Sequence, residues 1–120
     1  MKVGVDVIEI ARIRKALERP GFRERCFTEA ERLYCDGKKN AAESYAARFA
    51  GKEAVGKALG CGVRFTWKEI EIVGRPKPSV RLFGKTAAFA EKIAAGAIDL
   101  SMTHSRELAA AVAVVQPREG

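Results

Sequence analysis

Apolar and polar positions change period several times along the chain, and the changes mark its elements. Lys2–Ile8 alternates strictly, with Val3, Val5 and Val7 on one side and Gly4, Asp6 and Ile8 on the other, which predicts a strand. From Glu9 to Arg19 the period lengthens: Ile10, Ile13 and Leu17 fall at i, i+3 and i+7, a helix that Pro20–Gly21 ends. Thr28 and Glu31 have the spacing of a capping box and open a short helix that stops near Asp36–Gly37. Ala41–Gly60 is one long helix, Ala-rich, free of proline and closed by Gly60. At this length it spans about 30 Å, enough to cross a small domain, so the rest of the chain is organised around it. Tyr45, Phe49 and Leu59 share its bulky side, while Ala47, Ala50, Gly51, Ala54 and Ala58 make a stripe small enough for another backbone to come very close.

The second half is mostly strand-like. Trp67–Val73 alternates, with Ile70 and Ile72 on one side and Glu69, Glu71 and Val73 on the other, and predicts a half-exposed strand. Gly74–Pro78 is a turn and Ser79–Phe83 the second strand of a hairpin. Lys85–Ala95 is a helix closed by Gly96. In Ile98–His104 the residues Ile98, Leu100 and Met102 point inward, and Ser105–Glu107 turns the chain into a last Ala/Val-rich strand, Leu108–Val115. No repeat, low-complexity segment or linker divides residues 1–120, so a single domain is expected.

Composition narrows the function classes. The hydrophobic fraction of 48% supplies a core, yet 120 residues leave much surface uncovered, which favours self-association. No apolar run reaches the length of a membrane span and the N-terminus lacks the form of a signal peptide, so a cytoplasmic protein with no membrane partner is expected. Cys26, Cys35 and Cys61 lack CxxC spacing and are expected to be reduced thiols. A net charge of +7 draws an acidic partner: nucleic acid, anionic lipid, a phosphorylated cofactor or an acidic protein.

A few residues stand out against this background. Asp6 sits mid-strand in an apolar run, where a carboxylate must be paired, held by backbone N–H groups or bound to a metal. On the long helix Glu53 is the one acid between Glu43 and Glu69, among Arg48, Lys52 and Lys57; it either pairs with Lys57 at i+4 or takes a metal or charged substrate. His104, the single histidine, ends a strand on the parity of its apolar set, as a core or edge residue or as a site residue. Arg12, Arg14, Arg19, Arg23 and Arg25 form a basic cluster, either a solvated face or a dock for an acidic helix.

Three pieces in order carry a resemblance: Gly4–Val5–Asp6–Val7, then Arg48–Phe49–Ala50–Gly51–Lys52–Glu53–Ala54 with Lys57–Ala58, then Ser101–Met102–Thr103–His104. With this spacing the chain resembles, almost end to end, the short bacterial type of 4′-phosphopantetheinyl transferase, the holo-[acyl-carrier-protein] synthase family. The resemblance implies an α+β fold, an antiparallel sheet packed against one long helix, and a homotrimer whose sites are shared between neighbours. It implies transfer of the phosphopantetheine arm of coenzyme A to a serine of apo-acyl carrier protein, in support of fatty acid biosynthesis, with adenosine 3′,5′-bisphosphate as second product. Asp6 and Glu53 would hold Mg²⁺, Lys57 would meet the pyrophosphate, Arg48 and Lys52 the other phosphates, and His104 a phosphate or the ribose. On this resemblance the serine proton would go to Glu53 or to a water on the metal, with Glu53 preferred because it would already be near the metal. The resemblance implies that the basic cluster would be the dock for the acidic carrier protein. Two rivals are a basic nucleic-acid-binding module, against which the six phenylalanines are scattered instead of interleaved with a basic strand, and a transferase fold that only binds coenzyme A.

Overall fold

The computed structural model describes residues 1–61, 66–74 and 77–119. Its elements in chain order are β1 (Lys2–Glu9), α1 (Ile10–Ala16), α2 (Phe22–Cys26), α3 (Glu29–Asp36), α4 (Ala41–Leu59), β2 (Ile70–Val73), β3 (Ser79–Leu82), α5 (Gly84–Lys92), β4 (Ala95–His104) and β5 (Leu108–Pro117). β1, β5 and β4 form an antiparallel sheet in that spatial order, and β2 with β3 forms a separate hairpin. The expected α+β architecture, an antiparallel sheet packed against one long helix, is what the chain adopts.

α4 lies across the sheet between Ala-rich surfaces. Ala109, Ala111 and Ala113 of β5 face Ala50, Ala54 and Ala58 of the helix side of the core, all buried. Small side chains on both sides let the backbones approach, and Gly4 of β1 marks the closest point: a Cβ there would lie 2.0 Å from the Ala54 carbonyl oxygen and 2.6 Å from the Ala58 nitrogen. The other side of α4 is covered too. Phe22, Phe27, Tyr45, Phe49 and Trp67, spread along the sequence, meet in one cluster, with the Phe49 and Trp67 rings stacked 4.3 Å apart and Phe27 edge-on to Tyr45 at 4.8 Å.

Several boundaries move from those the pattern predicts. The helix expected to Arg19 ends at Ala16, because the ladder tightens to i→i+3 bonds from Glu18 to Lys15 and from Arg19 to Ala16 ahead of Pro20. A short α2 follows, unforeseen in so polar a segment. Trp67–Glu69 is a 3₁₀ turn, so β2 begins only at Ile70, and Glu71 is buried where it accepts a 2.6 Å bond from the Thr28 hydroxyl. α5 stops at Lys92, and Ala94, not Gly96, takes the left-handed conformation at φ 55°. Gly96 instead lies within β4, where a Cβ would come within 2.8 Å of the Pro117 carbonyl oxygen. The capping box on α3 and the Gly60 closure of α4 (φ 90°) are as the sequence predicts. The sequence Gly60–Cys61–Gly62 predicts a flexible turn after α4; its Gly62, and Arg75–Pro76 of the hairpin turn, lie outside the described residues.

Candidate active site

The approach at Gly4 decides what happens two residues on. Asp6 lies on the face of β1 that meets α4, opposite Ala111 of β5. Glu53 and Lys57, one turn apart on α4, arrive beside it. Lys57 Nζ donates to Asp6 Oδ1 at 3.0 Å and to the Val5 carbonyl at 3.0 Å. Glu53 is half-buried, and its carboxyl is pushed above the usual range first by burial and then by the Asp6 charge, with Lys57 pulling the other way. Two carboxylates from segments almost fifty residues apart therefore share one site with one ammonium. The i,i+4 pairing open to Glu53 is not the ion pair formed: Lys57 reaches across to Asp6 instead.

This donor set suits a hard divalent cation. It supplies two carboxylates and a neighbouring backbone carbonyl, all oxygen, and the mutual repulsion of Asp6 and Glu53 is what a cation between them would relieve. Among the described residues no group of three or more His, Cys, Asp or Glu side chains is placed to hold a metal ion, so water and substrate oxygens must complete any shell.

A second feature lies at the other edge of the sheet. A pocket of about 460 Å³ is lined by Tyr34, Lys38, Lys39, Glu43, Arg48 and His104 among others. Arg48 is 5% exposed, its guanidinium sits over the Tyr34 ring at 4.1 Å, and its Nε has no hydrogen-bond partner among the described residues. A buried cationic donor left unpaired beside a lysine-flanked pocket is suited to a phosphate. His104 Nε2 stands 3.4 Å from Glu43 Oε1 at the rim. Glu43 was not singled out in the sequence; nothing in its local pattern tells it from a solvated first-turn acid. In register His104 shares a row with Ala109 and Ile8, so Asp6 and His104 are on the two outer strands and two residues out of row, about 12 Å apart by strand and residue spacing.

Lys52 is a correction. Its ammonium is fully buried and pairs with Glu31 at 2.8 Å, donating also to the carbonyls of Trp67 and Ile70. Enclosed in this way it cannot meet a phosphate of the coenzyme; burial and the Glu31 pair make it part of the core. The basic cluster, by contrast, is on the surface: Arg12, Arg14, Arg19, Arg23 and Arg25 are all exposed over α1, α2 and the turn between them. Arg23 lies 3.4 Å from Asp36, and the other four make no ion pair among the described residues.

Comparison with known proteins gives this geometry a family. The family model of the 4′-phosphopantetheinyl transferase superfamily matches residues 2–113. A holo-[acyl-carrier-protein] synthase of Chlamydia felis is 47% identical over 117 residues, covering 93% of each chain. Among solved structures, the Helicobacter pylori holo-[acyl-carrier-protein] synthase in complex with coenzyme A superposes with a TM-score of 0.82 at 31% identity, over 95% of this chain and 99% of that one. The Bacillus anthracis holo-(acyl-carrier-protein) synthase in complex with CoA (3′,5′-ADP) gives a TM-score of 0.80 at 34% identity, over 97% and 96%. The chain belongs to the 4′-phosphopantetheinyl transferase superfamily.

Proposed function

We propose that the chain is a holo-[acyl-carrier-protein] synthase: it transfers the 4′-phosphopantetheine group of coenzyme A to a serine of apo-acyl carrier protein, in support of fatty acid biosynthesis. The observation that carries this reading is the convergence of Asp6 and Glu53 with Lys57 at one edge of the sheet. The names and coenzyme complexes of the relatives support the substrate class. The serine oxygen bonds to the β-phosphorus, the bond to the bridging oxygen breaks, and adenosine 3′,5′-bisphosphate leaves with that oxygen.

Each residue has a part in this. Asp6 and Glu53 hold Mg²⁺, which supplies charge neutralisation on the diphosphate when bound. Lys57 meets the pyrophosphate, and its long half-exposed side chain has the freedom to do so. Glu53 takes the serine proton, because it stands beside Asp6 and Lys57 where the diphosphate would be held. Arg48 with Lys38 and Lys39 contacts a phosphate of the coenzyme in the Tyr34 pocket, and His104 contacts a phosphate or the ribose at its rim. The acidic carrier protein docks on Arg12, Arg14, Arg19, Arg23 and Arg25.

The outer face of the sheet supports assembly. Val3, Val5 and Val7 are 57%, 58% and 58% exposed, and Leu108 and Val112 extend the same uncovered apolar face. A homotrimer buries it and brings one subunit's phosphate pocket toward a neighbour's carboxylate pair. The protein works in the cytoplasm; among the described residues no helix is long and apolar enough to cross a membrane. A nucleic-acid-binding module is the less favoured reading: the Phe22, Phe27, Phe49 and Trp67 rings pack on one another instead of lining a basic surface.

The test is to incubate the chain with coenzyme A, Mg²⁺ and apo-carrier protein and weigh the carrier. Addition of the phosphopantetheine arm, nearly abolished in Glu53→Gln with the fold kept, is the expected result. An unmodified carrier despite tight coenzyme binding would make this an inactive fold, and salt-sensitive RNA or DNA binding without coenzyme affinity would favour the nucleic-acid module.

A further inference from the structure

One cation is already seated at the carboxylate pair. The Lys57 ammonium lies 3.0 Å from Asp6 Oδ1 and 3.0 Å from the Val5 carbonyl oxygen, two of the hard oxygen donors on which a divalent cation would draw. The Asp6 side chain is largely covered, while that of Lys57 is half-exposed and rooted on α4, so the lysine is the partner free to leave. Among the described residues the pair offers two anionic ligands, and one of them is engaged.

We propose that Lys57 is a resident counter-cation of Asp6 that competes with the divalent metal in the free protein and is released when a diphosphate arrives. The inference rests on the metal role given above to Asp6 and Glu53. A divalent ion at the pair places two positive charges beside the ammonium, and the cost is repulsion unless Lys57 swings away. Without a diphosphate, the swing exposes the lysine to water and breaks both of its bonds. With one, the ammonium exchanges Asp6 for phosphate oxygens. Metal and coenzyme A consequently assist each other's binding, and the lysine side chain is the link between them.

The experiment titrates Mn²⁺ into the full chain and follows free Mn²⁺ by electron paramagnetic resonance, with and without coenzyme A and with no carrier protein present. Lys57→Met, which keeps the length and loses the charge, should bind Mn²⁺ about two- to five-fold tighter than the unaltered chain when coenzyme A is absent, the range an exposed ion pair spans. Coenzyme A should raise Mn²⁺ affinity more in the unaltered chain than in Lys57→Met, and Lys57→Arg should behave like the unaltered chain. If Lys57→Met binds Mn²⁺ no tighter, or neither chain binds it detectably, the competition is overturned. The metal reading fails separately: it falls if Asp6→Asn and Glu53→Gln leave Mn²⁺ binding unchanged.

Discussion

At the scale of single residues, the site depends on a side chain that is missing. Gly4 lets β1 rest against the backbone of α4, and that contact sets how far Asp6 stands from Glu53 and Lys57. Gly4→Ala puts a methyl into the Ala54 carbonyl, so the strand or the helix must move. We expect a loss of about 1–3 kcal/mol or more in stability by urea unfolding, with transfer activity falling further than the unfolded fraction explains. Near-normal stability would mean that β1 shifts at no cost. Glu69 is a second residue with a measurable signature. Its carboxylate accepts from the Thr86 hydroxyl at 2.9 Å and backbone nitrogen at 3.0 Å, covering the start of α5, and these bonds hold its pKa below the ordinary value. A carboxyl depressed in the folded state stabilises the fold above its unfolded pKa and loses that contribution as pH falls through its folded one. Below about pH 4.5, therefore, stability should drop less steeply in Glu69→Gln than in the unaltered chain, as read by thermal unfolding across pH.

Among the elements, α3, α4 and β2 are joined by one buried ion pair. Glu31 accepts from Lys52, from the Thr28 backbone at 2.9 Å and from the Ile72 backbone at 2.8 Å, so a single carboxylate caps one helix, fixes a strand and neutralises the lysine of another helix. Lys52→Met leaves that carboxylate buried without its cation and should cost about 3–5 kcal/mol. Adding Glu31→Gln, which keeps an acceptor and removes the charge, should recover part of the loss in the same denaturation series. No recovery would place the damage in packing instead. The pair also shows where the sequence stops being informative. Thr28 and Glu31 announce a capping box because both partners lie within one turn of chain. Nothing local separates Lys52 from Lys57, since both are basic residues on an Ala-rich helix, and only the packing of β2 encloses one and leaves the other at the surface. The same holds for Val3, Val5 and Val7, whose alternation predicts a strand but not which face stays uncovered. The carboxylate pair was legible through the family resemblance, Glu43 at the pocket rim was not, and the five-ring aromatic core follows from contacts between segments that no periodicity describes.

Across the whole molecule, charge and apolar surface are placed apart. The arginines of α1 and α2 leave a basic surface, and Arg14→Glu should raise KM for the carrier protein well above its effect on KM for coenzyme A; equal effects would remove docking from this surface. The uncovered sheet face calls for a different test. Val112→Glu puts a charge in the middle of the central strand, pointing away from α4, and should yield monomers by light scattering with transfer reduced. Trimers of unchanged mass would show that assembly uses another face.

The depth at which α4 lies has a consequence for timing. A rod walled in by the sheet on one side and by aromatic rings on the other has few ways to open short of the whole domain unfolding, so its amide hydrogens should be among the last to exchange with heavy water. Glu53 is thereby held at its post before any visitor comes. Whatever adjustment the visitor demands falls to the tips of long side chains, and these move in nanoseconds.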